Sequence, residues 1–120
     1  MKRIVFALVL IALLAGSAFG LSDKEYTRMR RNSKAFRDAD DLLKESYQEC
    51  KDTLSASEFK SVKNEQIEWV KNGRDEEAKY FIDDGYTRTE AYTKVTEMRA
   101  DALHHICVTY RNDHHFTDDD

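Results

Sequence analysis

This 120-residue sequence predicts an all-α fold, an antiparallel three-helix bundle with a short leading helix after a signal peptide. Three observations predict it. Proline is absent, and after residue 20 only Gly73 and Gly85 interrupt a chain rich in the helix formers Glu, Lys, Ala and Leu. Ser22-x-x-Glu25, Ser55-x-x-Glu58 and Thr87-x-x-Glu90 each match the capping box. In that motif the hydroxyl accepts from a free first-turn amide and the acid reaches back to the cap's own amide. Beyond each match, apolar residues recur at the three- and four-residue steps that place them on one face of a helix.

The chain opens as an export signal. Lys2 and Arg3 precede an apolar run from Ile4 to Ala15, followed by the small residues Gly16, Ser17, Ala18 and Gly20. A basic start, a short apolar stretch and small residues before a polar region describe a secretory signal peptide. Ala18 and Gly20 fill the small-residue positions of a cleavage site before Leu21, so residues 1–20 are expected to be removed. The run is shorter than the roughly 20 residues a membrane-spanning helix needs. Leu14-Ala15-Gly16-Ser17 has the form of a lipoprotein box with Ser17 where the lipid-bearing cysteine belongs. The expected product is periplasmic or secreted, without stable membrane insertion after cleavage.

Loss of Lys2 and Arg3 leaves 17 basic against 23 acidic side chains, a net charge of −6 in place of −4. Such a balance opposes nucleic acid, whose phosphates would repel it, and suits encounter with a basic protein. The 100 remaining residues form one domain with a core large enough to fold alone.

A short leading helix near residues 23–31 ends at Asn32-Ser33. The first long helix follows, with Phe36, Ala39, Leu43, Tyr47, Cys50 and Leu54 on one face. The second carries Phe59, Val62, Gln66, Trp69, Gly73, Ala78 and Phe81. The third carries two adjacent stripes, Ala91, Val95, Met98, Ala102 and Ile106 beside Arg99, Leu103, Cys107 and Tyr110, and so touches two neighbours. The run 114–120 is too polar to pack and reads as a disordered acidic tail.

Short links make successive helices antiparallel. Folding about residues 55–56 and again about 84–85 sets the first and third long helices parallel, with an offset of roughly 58 positions. Cys50 and Cys107 are 57 apart and both lie on apolar stripes. In an oxidising compartment they are expected to form a disulfide, since no Cys-x-x-Cys spacing supports a redox or metal-binding pair. The same register brings Asp40 and Arg99 to one level, which predicts a partly buried salt bridge between the first and third long helices.

Three fragments carry a family resemblance. Asp40, Leu43 and Tyr47 lie on the first long helix, Val62, Gln66, Trp69, Arg74 and Asp75 on the second, and Thr96, Arg99 and Leu103 on the third. In this order and spacing they resemble the family of the lysozyme inhibitor LprI, small secreted helical domains of bacterial envelopes, over about two thirds of the mature chain. Lys44 stands where that family has Asn. Ala78 and Ala91 stand where it commonly has a cysteine pair, and they would face each other across the second hairpin. The resemblance implies a non-catalytic protein-binding role, with inhibition of a lysozyme by occlusion of its cleft as the specific version. An immunity protein against a toxin delivered to the periplasm, or an envelope-stress or adhesion module, would share fold and compartment.

The chemistry-bearing residues have plainer readings beside these. Trp69 reads as a packing anchor. Gln66 reads as a buried amide that fixes helix register, or as a ligand contact. Arg74 and Asp75 are adjacent, so they point about 100° apart and read as interhelical pairing residues first and interface residues second. His104, Cys107, His114 and His115 do not make the four convergent ligands of a zinc site. No Gly-x-Ser-x-Gly elbow, phosphate-cradling glycine loop or His-Glu-x-x-His is present, and no enzyme activity or cofactor is implied. Asp83, Asp84 and Tyr86, around Gly85, are the candidate partner-binding residues, against the plain reading of a solvated turn.

Overall fold

A computed structural model of the protein describes residues 20–119, and the side chains of 20–110. The predicted signal peptide, apart from Gly20, lies outside the described residues. Those described are helical, with no strand among them: α1 is Asp23–Asn32, α2 Lys34–Thr53, α3 Ala56–Glu68, α4 Arg74–Asp83 and α5 Arg88–Asp119, and a π-helical turn, Trp69–Gly73, joins α3 to α4. None of the described helices is long and apolar enough to cross a membrane.

Caps set the boundaries where the sequence places them. Ser55 and Glu58 form the full reciprocal box, the Ser55 amide donating to Glu58 Oε1 at 2.9 Å and the Glu58 amide to Ser55 Oγ at 3.3 Å. Thr87 and Glu90 repeat it at 2.9 and 3.2 Å. Ser22 makes only half of a box. It accepts from the Glu25 amide at 3.1 Å, but the Glu25 carboxylate is drawn across to Arg88 at the start of α5. Ser33, in extended conformation (φ −123°, ψ 111°), ends α1 and caps α2 by accepting from the Phe36 amide at 3.1 Å. The backbone of 114–119 continues α5, where a disordered tail is expected from the sequence. No proline or glycine after Gly85 stops the helix.

The π turn explains an irregularity in the second apolar face. Gly73 to Ala78 is a step of five, and the Arg74 amide donates to the carbonyl of Trp69, five residues back. The extra residue rotates everything after Gly73, so that Trp69 and Val70 before it and Ala78 after it all reach the core. Gly73 has a packing reason as well, because a Cβ there would stand 3.1 Å from Trp69 Cδ1.

The hairpin register holds in direction. Tyr47 packs on Phe59 at 5.2 Å between ring centroids, across the α2–α3 turn. Asp75 meets Tyr92 and Gln66 meets Arg99, so α5 runs back along the α3–α4 rod. The α2–α5 packing, the most extensive in the molecule, is closed by the disulfide between Cys50 and Cys107, with Cα atoms 5.2 Å apart. Both cysteines are fully buried in the hydrophobic core, the Cys50 sulfur lying 3.4 Å from the carbonyl oxygen of Leu103. The buried face of α5 is turned slightly from the expected one: Tyr92, Thr96 and Ala100 are inside, whereas Met98 is about half exposed at 48%. Ala78 and Ala91 are both fully buried.

Candidate functional site

The residues singled out by sequence form two connected polar clusters and one exposed turn. The first cluster is built on the π turn. Trp69, buried, lies between two guanidinium groups, with Arg74 Cζ 6.0 Å and Arg99 Cζ 5.9 Å from its ring. Both distances fall within cation–π range. Its indole N–H donates to Glu77 Oε1 at 3.3 Å. Arg99 donates from Nε to Gln66 Oε1 at 2.7 Å, joining α5 to α3, while its buried Nη2 has no hydrogen-bond partner. Gln66, 6% exposed, is thus a buried amide whose oxygen accepts a bond from α5.

Arg74 and Asp75 diverge as adjacent helical residues must. Arg74, 8% exposed, reaches between Trp69 and Tyr92, its Cζ 5.9 Å from the Tyr92 ring, and its Nε is buried without a partner. Burial pushes its pKa down, opposed by the charges of Asp75 and Asp40 and by Tyr92. A guanidinium stays protonated regardless, so this residue is a buried cation balanced by carboxylates at a distance. Asp75 accepts from the Tyr92 hydroxyl at 2.6 Å. Burial and that bond raise the Tyr92 pKa beyond the ordinary phenol range. Arg99 is likewise pushed down by burial, opposed by Glu65 and Glu77.

The second cluster corrects the expected salt bridge between Asp40 and Arg99. Asp40, 4% exposed, is held by Arg30 Nη1 at 2.5 Å, by the Tyr26 hydroxyl and, more loosely, by Lys44 Nζ at 3.5 Å. Arg30 also binds Asp41 at 2.9 Å. The reason is α1. It folds back from Ser33 along α2 and buries Tyr26 and Met29, with the Tyr26 ring edge-on to Phe36 at 5.9 Å. It thereby places a phenol and a cation from α1 on Asp40. Offset alone located the level of Asp40 and not the side of the helix it faces. Leu43 is buried as expected, and Tyr47 is half-buried with its hydroxyl enclosed and unpartnered.

Glu25 and Arg88 were invisible in the sequence as a pair. They form a two-pronged ion pair between α1 and α5, one prong at 2.9 Å, and Arg88 also lies 5.2 Å from the Tyr92 ring. His104 meets Glu49 at 3.0 Å beside the disulfide, bridging α5 to α2. Among the described residues no group of three or more His, Cys, Asp and Glu side chains is placed to hold a metal ion.

The α4–α5 turn is the exposed element. Gly85 takes φ +105°, the Gly85 amide donates to Ile82 O at 3.0 Å and the Tyr86 amide to Phe81 O at 2.9 Å. This is a Schellman ending, and the Tyr86 ring on Phe81, 5.0 Å between centroids, is its apolar clasp. Asp83 pairs with Lys79 at 3.0 Å on the surface. Tyr80, missed by sequence reasoning, stands 80% exposed, with Ile82 and Tyr86 also partly in solvent. Its place one step off the apolar face was the available signal. An open cleft of about 420 Å³ lies beside the π turn, between Glu65, Glu68, Glu76 and Arg99 and over Trp69.

Compared with protein-family models, curated proteins and solved structures, the chain matches none.

Proposed function

We propose that the chain is the precursor of a secreted, non-catalytic binding protein of the bacterial envelope. Its mature domain would be a bundle of three long antiparallel helices with a short leading helix, and it engages a basic protein partner through the α4–α5 turn. The specific version is inhibition of a lysozyme by occlusion of its cleft. The observation that supports this reading most is Tyr80. An aromatic ring left 80% in water has no folding benefit, whereas large aromatics carry much of the energy at protein interfaces. Asp83, Asp84 and Tyr86 adjoin it, and the net charge after loss of residues 1–20 is negative.

The test is capture of envelope proteins and of a basic lysozyme on the purified exported domain, repeated with a Tyr80→Ser, Asp83→Asn, Asp84→Asn variant. Retention of a muramidase by the wild type, inhibition of its activity, and loss of both in the variant at unchanged helix content are expected. Equal retention by both proteins would reject the turn as the binding surface. A toxin recovered in place of a muramidase would make the protein an immunity factor.

A further inference from the structure

We propose that the α-ammonium group created by cleavage before Leu21 docks on the Asp75 carboxylate, so that maturation supplies a charge the fold is built to receive. The inference rests on reading residues 1–20 as a removable signal peptide. Hydrolysis of the Gly20–Leu21 amide by a signal peptidase consumes one water. It leaves a carboxylate on the released peptide and an amine on Leu21 that is largely protonated near neutral pH.

The geometry around the scissile bond carries the proposal. The chain passes directly against Asp75: a Cβ built on Gly20 would lie 2.3 Å from Asp75 Oδ2 and 3.1 Å from its Cγ. Standard bond lengths then put the Leu21 nitrogen at most about 6 Å from Oδ2 before cleavage, and removal of the acyl group frees it to close the remaining gap. Leu21 itself is 3% exposed and belongs to the core cluster, so the new terminus is anchored beside the carboxylate. The other carboxylate oxygen, Oδ1, is held by the Tyr92 hydroxyl at 2.6 Å, which fixes the orientation of Asp75 with Oδ2 toward Gly20.

Electrostatics gives the pair a purpose. A positive terminus at Leu21 sits immediately before Ser22, the N-cap of α1, where the helix dipole disfavours cations. The charges of Arg74 and Arg88 act in the same neighbourhood, each close enough to feel that of Asp75. Asp75 is the carboxylate that opposes all three. Its pairing with the terminus would lock α1 onto α4 at the same end of the molecule where Glu25 and Arg88 lock α1 onto α5.

The experiment uses the exported product. Its mass must correspond to a chain beginning at Leu21; retention of residues 1–20, or a start elsewhere, overturns both the signal-peptide reading and this inference. With the start at Leu21 established, the terminal amine is converted to a ketone by N-terminal transamination, which removes its charge and leaves lysines intact. The conversion should lower Tm by about 4 °C or more in the wild type, and by less than half as much in Asp75→Asn, which keeps an oxygen for Tyr92. Equal losses in the two proteins, or none in the wild type, overturn the docking while leaving the signal-peptide reading intact. If Asp75→Asn does not fold, the labelling rate of the wild-type amine decides. It should be at least about ten times slower in the native than in the urea-unfolded protein, and equal rates overturn the proposal.

Discussion

Arg99 donates from Nε to Gln66 Oε1 at 2.7 Å, and this bond, with Trp69 stacked beneath the same guanidinium, is what ties α5 to α3. Asp40 belongs to another circuit, closed by Tyr26, Arg30 and Lys44. The two circuits share no hydrogen-bond partner among the described residues, although both border Arg74, one through Trp69 and one through the field of Asp40.

This arrangement predicts which substitutions couple. Gln66→Leu keeps volume but leaves a partly buried guanidinium without its acceptor, at a cost of about 1–3 kcal/mol. Arg99→Met removes the cation and its stacking. The double variant should lose less than the sum of the two, because each single change already breaks the shared bond. Asp40→Asn combined with Arg99→Met should be additive within about 0.5 kcal/mol. Urea denaturation of the parent and the five variants measures both statements, and coupling between Asp40 and Arg99 would contradict the structure.

The Cys50–Cys107 bridge closes a loop of 57 positions between parallel helices. In the chain-entropy model a loop of that length is worth about 4 kcal/mol. Replacing both cysteines by alanine should therefore lower stability by several kcal/mol in thermal and urea melts. The sulfurs are buried, at 0% and 1% residue exposure, so reductant should open the bridge only as fast as the native protein unfolds. Rapid reduction under native conditions, or two titratable thiols in the native protein, would sink this account.

Much of this fold is legible in the sequence, and the gaps have physical causes. The boxes at Ser55 and Thr87 are local hydrogen-bond patterns, so a sequence can carry them whole. The disulfide follows from two turns and an offset. Asp40 shows where that reasoning stops: periodicity tells that a side chain faces inward but not which of several cations will reach it. The leading helix, with little apolar content beyond Tyr26 and Met29, gave no sign that it would dock there. The step of five from Gly73 to Ala78 was the trace of the π turn, readable once a break in the three-and-four pattern is taken as an inserted residue. Met98 outside and Tyr92 and Thr96 inside show the limit of apolarity as a guide, and Tyr92 buries its ring with its hydroxyl donating to Asp75.

High pH should unfold the protein through its phenols. Burial, then the charge and hydrogen bond of Asp40, raise the pKa of Tyr26; burial, then the bond to Asp75, raises that of Tyr92. A folded pKa above the unfolded value means that the native state holds its proton more tightly. The stability this represents is complete below the unfolded phenol pKa of about 10 and is lost as pH rises toward the folded values. Helix content and phenolate absorbance should therefore change together above about pH 10. In Tyr26→Phe the alkaline loss should be shallower, with a cost near neutrality of about 1 kcal/mol from the missing donor to Asp40. Phenolate signal from every tyrosine while the helices remain intact would contradict the linkage.

Gly85 isolates a purely conformational cost at the turn that carries the proposed binding surface. Its φ of +105° lies where L side chains are strained, yet a Cβ added there would meet nothing within 4 Å. Gly85→Ala should therefore cost about 1–2 kcal/mol from the backbone alone, with no steric contribution from neighbours. Gly85→Asn should recover part of that, because asparagine tolerates positive φ better. The two amide bonds of the turn, to Ile82 and Phe81, and the clasp of Tyr86 on Phe81 depend on the same backbone. A chain that escapes the strain by opening the turn should thus expose Tyr86 further, and its fluorescence quenching by an added neutral quencher should rise. Thermal melts of glycine, alanine and asparagine proteins, ranked in that order with the middle and last exchanged, are the expected result: glycine highest, asparagine next, alanine lowest. An alanine variant as stable as the parent would mean that the turn relaxes to negative φ without loss, and Gly85 would then have no part in fixing the direction in which Tyr80, Asp83, Asp84 and Tyr86 face solvent.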